Sequence, residues 1–243
     1  MERVEWLKQM REMAEALYDH FSPEYWVRFG LYENAAHREY LQKFMERVPP
    51  QSSLLSAACG AGRYDGFLLE AGHSVVGIDL SAGMLARARE HFPEIRYEKM
   101  GLQEMDFHKA FDGAICMDAM EHIPPEEYPM ILRKFQEALR PGGLLYFTAE
   151  PFDTDEDSEM QASYERARAM GLPVVLGEVA DEVATAYEQV KALEHPPAEL
   201  AHKAVYYYAP PLEQVRAWIE QAGLTIEQEG RGSSLHHFIV RKR

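Results

Sequence analysis

Cysteine is scarce in this chain, cations are outnumbered, and long apolar runs are missing. Only Cys59 and Cys116 occur among 243 residues. One sits beside a glycine turn and the other in an apolar stretch, which argues against a disulfide framework, and two thiols alone make no cysteine zinc site. No apolar segment approaches the ~20 residues of a membrane span. The opening MERVEWLKQMREM lacks an apolar h-region and a cleavage site. We therefore expect a cytoplasmic protein that does not engage a membrane. Lys and Arg number 25 against 40 Asp and Glu, a formal net charge of −15. Phosphate backbones are bound by clustered cations, and the only such cluster is the short RKR tail. No nucleic-acid partner is expected. Internal repeats and low-complexity tracts are also absent.

What is present suffices for one large α/β domain or two small ones. The acid excess is uneven: residues 151–204 hold twelve acids against four bases. A solvated surface accounts for that excess, and a preference for cationic or amine substrates is the sharper alternative.

The stretch Leu54 to Ser81, LLSAACGAGRYDGFLLEAGHSVVGIDLS, organises the rest. It reads as an apolar strand, a glycine turn, a short helix, and a second strand ending on Asp79. Gly60 and Gly62 let backbone approach a ligand closely because they lack Cβ. Asp79 is delivered to the same carboxyl edge, where an acid can accept both hydroxyls of a ribose. A dinucleotide fingerprint counted from these glycines needs a third at position 65, which is Asp65. A nicotinamide dehydrogenase is therefore the weaker reading.

Before this unit, residues 3–19 repeat apolar positions at helical period. Pro23 is placed to begin a second helical turn after Ser22, and AAHREYLQKFMERV reads as another amphipathic helix. Tyr18, Phe21, Tyr25, Trp26 and Tyr32 either pack this extension on the sheet or line a pocket beneath it. After it come the helix SAGMLARAREHF capped by Ser81, a strand EIRYEKM, a loop, and the apolar strand FDGAICM. A helix follows that stops at Pro141-Gly142-Gly143, then the strand GLLYFTAE. Alternation of this kind predicts a parallel, doubly wound sheet. From 151 to 204 the pattern breaks into helical segments too long for a connection. The chain then resumes with the helix PLEQVRAWIEQAG, the strand LTIEQEG, a turn RGSS and the strand LHHFIVRK. The expected domains are a helical extension or lid (1–50), a core (51–150 and 205–243), and a helical insertion serving as substrate cap (151–204).

Four stretches in this order, LLSAACGAG, VVGIDLSAGML, FDGAICMDAMEHI and LRPGGLLYFT, resemble class I S-adenosylmethionine-dependent methyltransferases of the small-molecule type. The resemblance covers residues 52–150 and 205–242 and hardly touches the insertion. It implies a Rossmann-like, seven-stranded, mostly parallel sheet with the last strand antiparallel. It also implies S-adenosyl-L-methionine as cofactor, S-adenosyl-L-homocysteine as product, and a small-molecule acceptor. By the same resemblance Cys59, Gly60 and Gly62 pass under the methionine and ribose. Asp79 holds the ribose diol, Leu80 and Met84 flank the adenine, and Gly101 and Leu102 meet its edge. Cys116, Met117 and Asp118 lie where strand four opens into the site. Two positions depart from the family: Ser56 and Gly101 stand where acids are usual.

Methyl transfer needs an acceptor held in line, water excluded and sometimes a proton removed. The candidate bases are His122 after strand four, and His236 and His237 opening the last strand. The two neighbours point to opposite faces, so at most one is expected to face the site. Each of the three has a structural alternative as a packing or capping residue. Tyr18, Tyr25, Trp26, Asp118 and Tyr207 are the candidate acceptor contacts. The spacing Asp118, Glu121, His122 is similar to an E-x-x-E-H set with which some methyltransferases of ubiquinone synthesis and small-RNA methylation bind a divalent ion. We expect no metal here, with that trio, helped by His195 or His202, as the set that would hold one. The expected assembly is a monomer or homodimer. The competing class is a non-catalytic protein that binds the cofactor or its product, as a sensor or partner subunit.

Overall fold

A computed structural model describes residues 3–30, 34–150, 209–232 and 235–243, together with Gln189 and Ala192. Tyr32, Tyr207 and all but those two residues of the 151–204 insertion lie outside the described residues. So do His195 and His202.

Seven strands form one sheet: β1 (Ser53–Ala57), β2 (Ser74–Asp79), β3 (Arg96–Lys99), β4 (Phe111–Cys116), β5 (Leu139–Ala149), β6 (Leu224–Gly232) and β7 (Leu235–Lys242). Their order is β3-β2-β1-β4-β5-β7-β6. The first five are parallel, and β7 runs antiparallel to both β5 and β6. The order reverses between β1 and β4, and in such sheets the crevice at that switch point, beyond the carboxyl ends, receives ligands. Six described helices accompany the sheet: α1 (Arg3–Tyr25), α2 (Ala35–Met45), α3 (Asp65–Glu70), α4 (Ala82–His91), α5 (Tyr128–Ala138) and α6 (Leu212–Gln221). One apolar core joins the sheet to α1, α5 and α6 through Met13, Phe135, Trp218 and Phe238. The other joins it to α2, α3 and α4 through Phe44, Leu68, Leu85 and Tyr146.

Three local results differ from the sequence reading. The first helix runs six residues further, through Pro23 to Tyr25. Proline has no N–H for the carbonyl four residues back. The Ser22 hydroxyl donates to that carbonyl, Asp19 O, at 2.9 Å, so the helix continues into a π-helical turn, Trp26–Gly30. Second, Pro141-Gly142-Gly143 does not separate helix from strand, because β5 already starts at Leu139. Gly142 takes φ +78, and the pairing with β4 slips between Phe111 and Gly113, so the three residues make an irregularity inside the strand. Third, Arg231 and Gly232 belong to β6 rather than to the turn, paired with His236 and Leu235.

Candidate cofactor and acceptor site

At the end of β1 the chain reverses in a turn where Ala58, Gly60 and Gly62 take φ of 50, 57 and 82. The Gly62 N–H donates to the Cys59 carbonyl at 2.9 Å and closes it. A Cβ on Gly60 would stand 3.1 Å from Met84 Cε, so a side chain there would crowd the cavity wall as well as strain the backbone. Asp79, at the end of β2, accepts the Gly60 N–H at 2.8 Å and the Ser81 N–H at 2.8 Å. Ser81 in turn caps α4 by accepting the Met84 N–H at 3.0 Å. Burial pushes the Asp79 carboxyl up to about 6, against the pull of those backbone donors.

A cavity of about 140 Å³ opens beside this carboxylate. Gly60, Asp79, Leu80, Met84, Gly101 and Leu102 line it, all six named from the sequence as cofactor contacts. The donor set suits a nucleoside: a half-buried carboxylate for a diol, apolar side chains for a base, and backbone without Cβ where the ligand passes. The opposite wall is α1, through Leu7, Met10, Arg11, Ala14 and Tyr18. Sequence reasoning missed the first four of these. A helical apolar stripe says that a face is covered, not what covers it. At about 140 Å³ the cavity is smaller than the about 300–1,000 Å³ of ordinary small-molecule sites.

Tyr18, Tyr25, Asp118 and His122 line the same cavity. The Tyr18 hydroxyl lies 3.2 Å from His122 Nε2. Burial first, then the nearby Tyr25 and carboxylates, push the Tyr18 hydroxyl well up, so it stays protonated, and the His122 tautomer decides which of the two donates. Asp118 takes φ +53, and its N–H donates to Thr148 Oγ1 at 2.8 Å. Its Oδ2 accepts from Arg63 and, at 2.9 Å, from the Tyr64 hydroxyl. Its Oδ1 lies 3.1 Å from His37 Nε2, an ion-pair contact. Burial alone would raise this carboxyl, but His37, Arg63 and Tyr64 outweigh it and hold it below the usual range. Asp118 Oδ2 thus has two hydrogen-bond partners, whereas Oδ1 has the His37 ring beside it without hydrogen-bond geometry. His37, Arg63 and Tyr64 were not singled out from the sequence, although Arg63-Tyr64 directly follows the glycine turn. Glu121 is buried with Oε2 unpartnered. Burial, then Asp118, push its carboxyl up to about 8.

Several named residues stand elsewhere. His236 lies 3.1 Å from Glu229 Oε2. His237 is wholly buried, 3.0 Å from the Tyr146 hydroxyl and stacked on Tyr40 at 4.5 Å. Burial and His37 push its imidazole down to about 4. Neither histidine is among the cavity's lining residues. Cys59, Gly62, Cys116 and Met117 are likewise not among the lining residues, Cys116 and Met117 being buried. Trp26 stacks on His91 at 3.6 Å and borders a second cavity of about 470 Å³ between α2 and α3. Among the described residues no group of three or more His, Cys, Asp and Glu is placed to hold a metal, and Asp118 is already held by Arg63, Tyr64 and His37.

Sheet order, antiparallel last strand and glycine turn define the class I S-adenosylmethionine-dependent methyltransferase fold. In agreement, residues 54–143 match the family model described as "Methyltransferase domain". Among curated relatives, the chain is 30% identical to the trans-aconitate 2-methyltransferase of Deinococcus radiodurans, over 51% of this chain and 47% of that one. It is 28% identical to a ubiquinone biosynthesis O-methyltransferase of Xanthomonas axonopodis pv. citri, over 47% and 49%. The chain thus spans about half the length of these curated relatives. Among solved structures, the 1,6-didemethyltoxoflavin-N1-methyltransferase of Burkholderia thailandensis, with S-adenosylhomocysteine bound, superposes at TM-score 0.63. The identity is 19%, and 95% of this chain and 89% of that one are covered. No helix among the described residues is long and apolar enough to cross a membrane.

Proposed function

We propose that this protein transfers the methyl group of S-adenosylmethionine to a small-molecule acceptor, with oxygen favoured over nitrogen as the accepting atom. One observation carries the reading: a half-buried carboxylate, Asp79, faces the glycine turn at one side of a cavity that also contains the Tyr18–His122 pair. Asp79 would accept the ribose hydroxyls, and Leu80 and Met84 would sandwich the adenine. When bound, the cofactor supplies an electron-poor methyl group on a sulfonium. The chain's share is to hold the acceptor in line and keep water out, and α1 roofs the cavity for that purpose. A hydroxyl acceptor beside Tyr18 would pass its proton to the phenol oxygen as the phenol proton moves to His122 Nε2. Acceptor recognition falls to α1, to residues 151–204 as the cap, and to Tyr207.

Oxygen is favoured because this relay serves a hydroxyl group. Relatives differ on this point, since the Xanthomonas enzyme is an O-methyltransferase and the Burkholderia enzyme an N1-methyltransferase. The test is transfer of labelled methyl to a panel of matched hydroxyl and amine metabolites. Label on hydroxyl acceptors, lost in His122→Ala and Tyr18→Phe, supports the reading. Label on amines alone would move the acceptor to nitrogen. Tight cofactor binding with no transfer to any member would favour a binding protein. Asp79→Ala should weaken S-adenosylhomocysteine binding about a hundredfold, about 2.7 kcal/mol. Unchanged affinity in calorimetry would mean that the ribose lies elsewhere.

A further inference from the structure

A second acid lies under the glycine turn, and it is not part of the cavity lining. Asp65 opens α3 and is wholly buried. Its Oδ1 accepts the Ser56 hydroxyl at 2.5 Å, from β1, and its Oδ2 accepts the Tyr97 hydroxyl at 2.8 Å, from β3. Its own N–H donates to the Gly62 carbonyl at 3.0 Å. A Cβ on Gly62 would stand 3.2 Å from Asp65 Oδ2 and 3.1 Å from the Tyr97 hydroxyl. The turn therefore rests directly on this carboxylate. Its first glycine is held from the other side by Asp79, through the Gly60 N–H. The turn is slung between two acids, Asp65 wholly buried and Asp79 half-buried.

Burying a carboxylate without a cation is costly, and the groups that act on Asp65 are two hydroxyls and a second acid, Asp79. A group kept at that cost, in contact with a ligand-binding turn, needs a reason. Ser56 stands where the family resemblance leads one to expect an acid. The structure returns an acid to that place from α3, nine residues on, through the Ser56 hydroxyl.

We propose that Asp65 is a positioning residue for cofactor binding: anchored by Ser56 and Tyr97, its carboxylate sets the path of the turn Cys59–Gly62 beneath the amino-acid end of the cofactor. This rests on the methyltransferase reading. The consequence is selective. The nucleoside end is held chiefly by Asp79, Leu80 and Met84, so ligands with the amino-acid tail depend on Asp65 more than nucleosides do.

The test is calorimetry with two probes, S-adenosylhomocysteine and adenosine, on wild type, Asp65→Asn and Tyr97→Phe. Asn keeps the size but turns one acceptor into a donor facing a hydroxyl that now donates. Expected for Asp65→Asn is a tenfold or greater loss for S-adenosylhomocysteine and less than twofold for adenosine. Tyr97→Phe should show the same split at three- to fivefold, and it decides the matter if Asp65→Asn does not fold. Equal losses for both ligands would mean a merely structural role and overturn the proposal. So would unchanged S-adenosylhomocysteine affinity in both folded variants. If wild type itself binds no S-adenosylhomocysteine, the methyltransferase reading falls and takes this proposal with it.

Discussion

The two N-terminal helices meet the same sheet on different terms. Helix α2 is capped by Asn34, whose Oδ1 accepts the Ala36 and His37 N–H groups at 3.0 and 3.3 Å. It buries His37, Tyr40, Leu41 and Phe44. Its rings enter the core: Tyr40 stacks on His237, and Phe44 lies 6.3 Å from Tyr146. Helix α1 also buries apolar groups, Met10, Met13, Leu17 and Phe21. Part of that face, however, looks onto a cavity instead of side chains. Polar pins hold it there. Glu15 pairs with Lys99 at 2.5 Å and Arg11 with Glu127 at 2.5 Å. Asp19 Oδ1 accepts the Ser81 hydroxyl at 2.6 Å and the Gly83 N–H at 2.7 Å. The Glu15–Lys99 pair is exposed and contributes little, Arg11–Glu127 is more sheltered, and filled aromatic packing contributes most. The same amphipathic pattern therefore packs the rings of α2 on core side chains and leaves α1 facing a cavity along part of its length. That α1 is a roof that opens rests on this contrast, and the following tests address it.

The sharpest test of that contrast is Phe44→Ala. The ring is completely buried, so its loss should cost about 3–5 kcal/mol of stability, measured by denaturant unfolding. A loss under about 1 kcal/mol would make α2 as peripheral as α1.

Next comes pH, which acts beneath α1. Glu121 and Asp79 influence Tyr18 and Tyr25 on α1. The Glu121 carboxyl is raised from an ordinary 4.5 to about 8, so the folded state holds its proton more tightly than the unfolded chain. The stability it contributes is complete below about 4.5 and is lost as pH rises through about 8. Asp65 and Asp79, raised from 3.8 to about 6, act in the same direction at lower pH. These three groups should therefore weaken apo protein between pH 4.5 and 8. His237, its imidazole lowered to about 4, acts the other way and adds stability up to about pH 6.5. The net fall is thus expected in the upper half of the range. Glu121→Gln should flatten that fall by roughly 1–3 kcal/mol. Parallel curves for wild type and variant would show that Glu121 does not titrate there.

Asp19→Ala removes the strongest pin and should cost about 1 kcal/mol. It should also speed S-adenosylhomocysteine association several-fold in stopped flow, because α1 is freer to open. Slower or unchanged association would argue against a roof. Lys99→Ala is the smallest step: the lysine is half-exposed, so below about 0.5 kcal/mol is expected in thermal unfolding. A larger cost would make the surface pins structural.

Much of this was legible in the residues, for physical reasons. The glycine turn and Asp79 are local chemistry, fixed within one βαβ unit, and their spacing places them at one edge. Alternation of strands and helices dictates a parallel sheet, and the closing hairpin supplies the antiparallel strand. The remainder depends on contacts between distant segments. Period two correctly puts His236 and His237 on opposite faces, but it cannot say that Glu229 covers one face and Tyr40 the other. Asp118 looks like a free carboxylate in D-x-x-E-H until Arg63, Tyr64 and His37, from two other segments, converge on it. Asp65 reads in sequence only as a missing glycine, and its task under the turn emerges when β1 and β3 bring Ser56 and Tyr97 to it.

The most direct measurement is amide hydrogen exchange with and without S-adenosylhomocysteine. The account predicts that free protein exchanges faster along Leu7–Tyr18 of α1 than along His37–Phe44 of α2. Ligand should then protect α1, the turn Cys59–Gly62 and the start of α4, leaving α2 unchanged. Equal protection of both helices in the free protein, with no response of α1 to ligand, would contradict it.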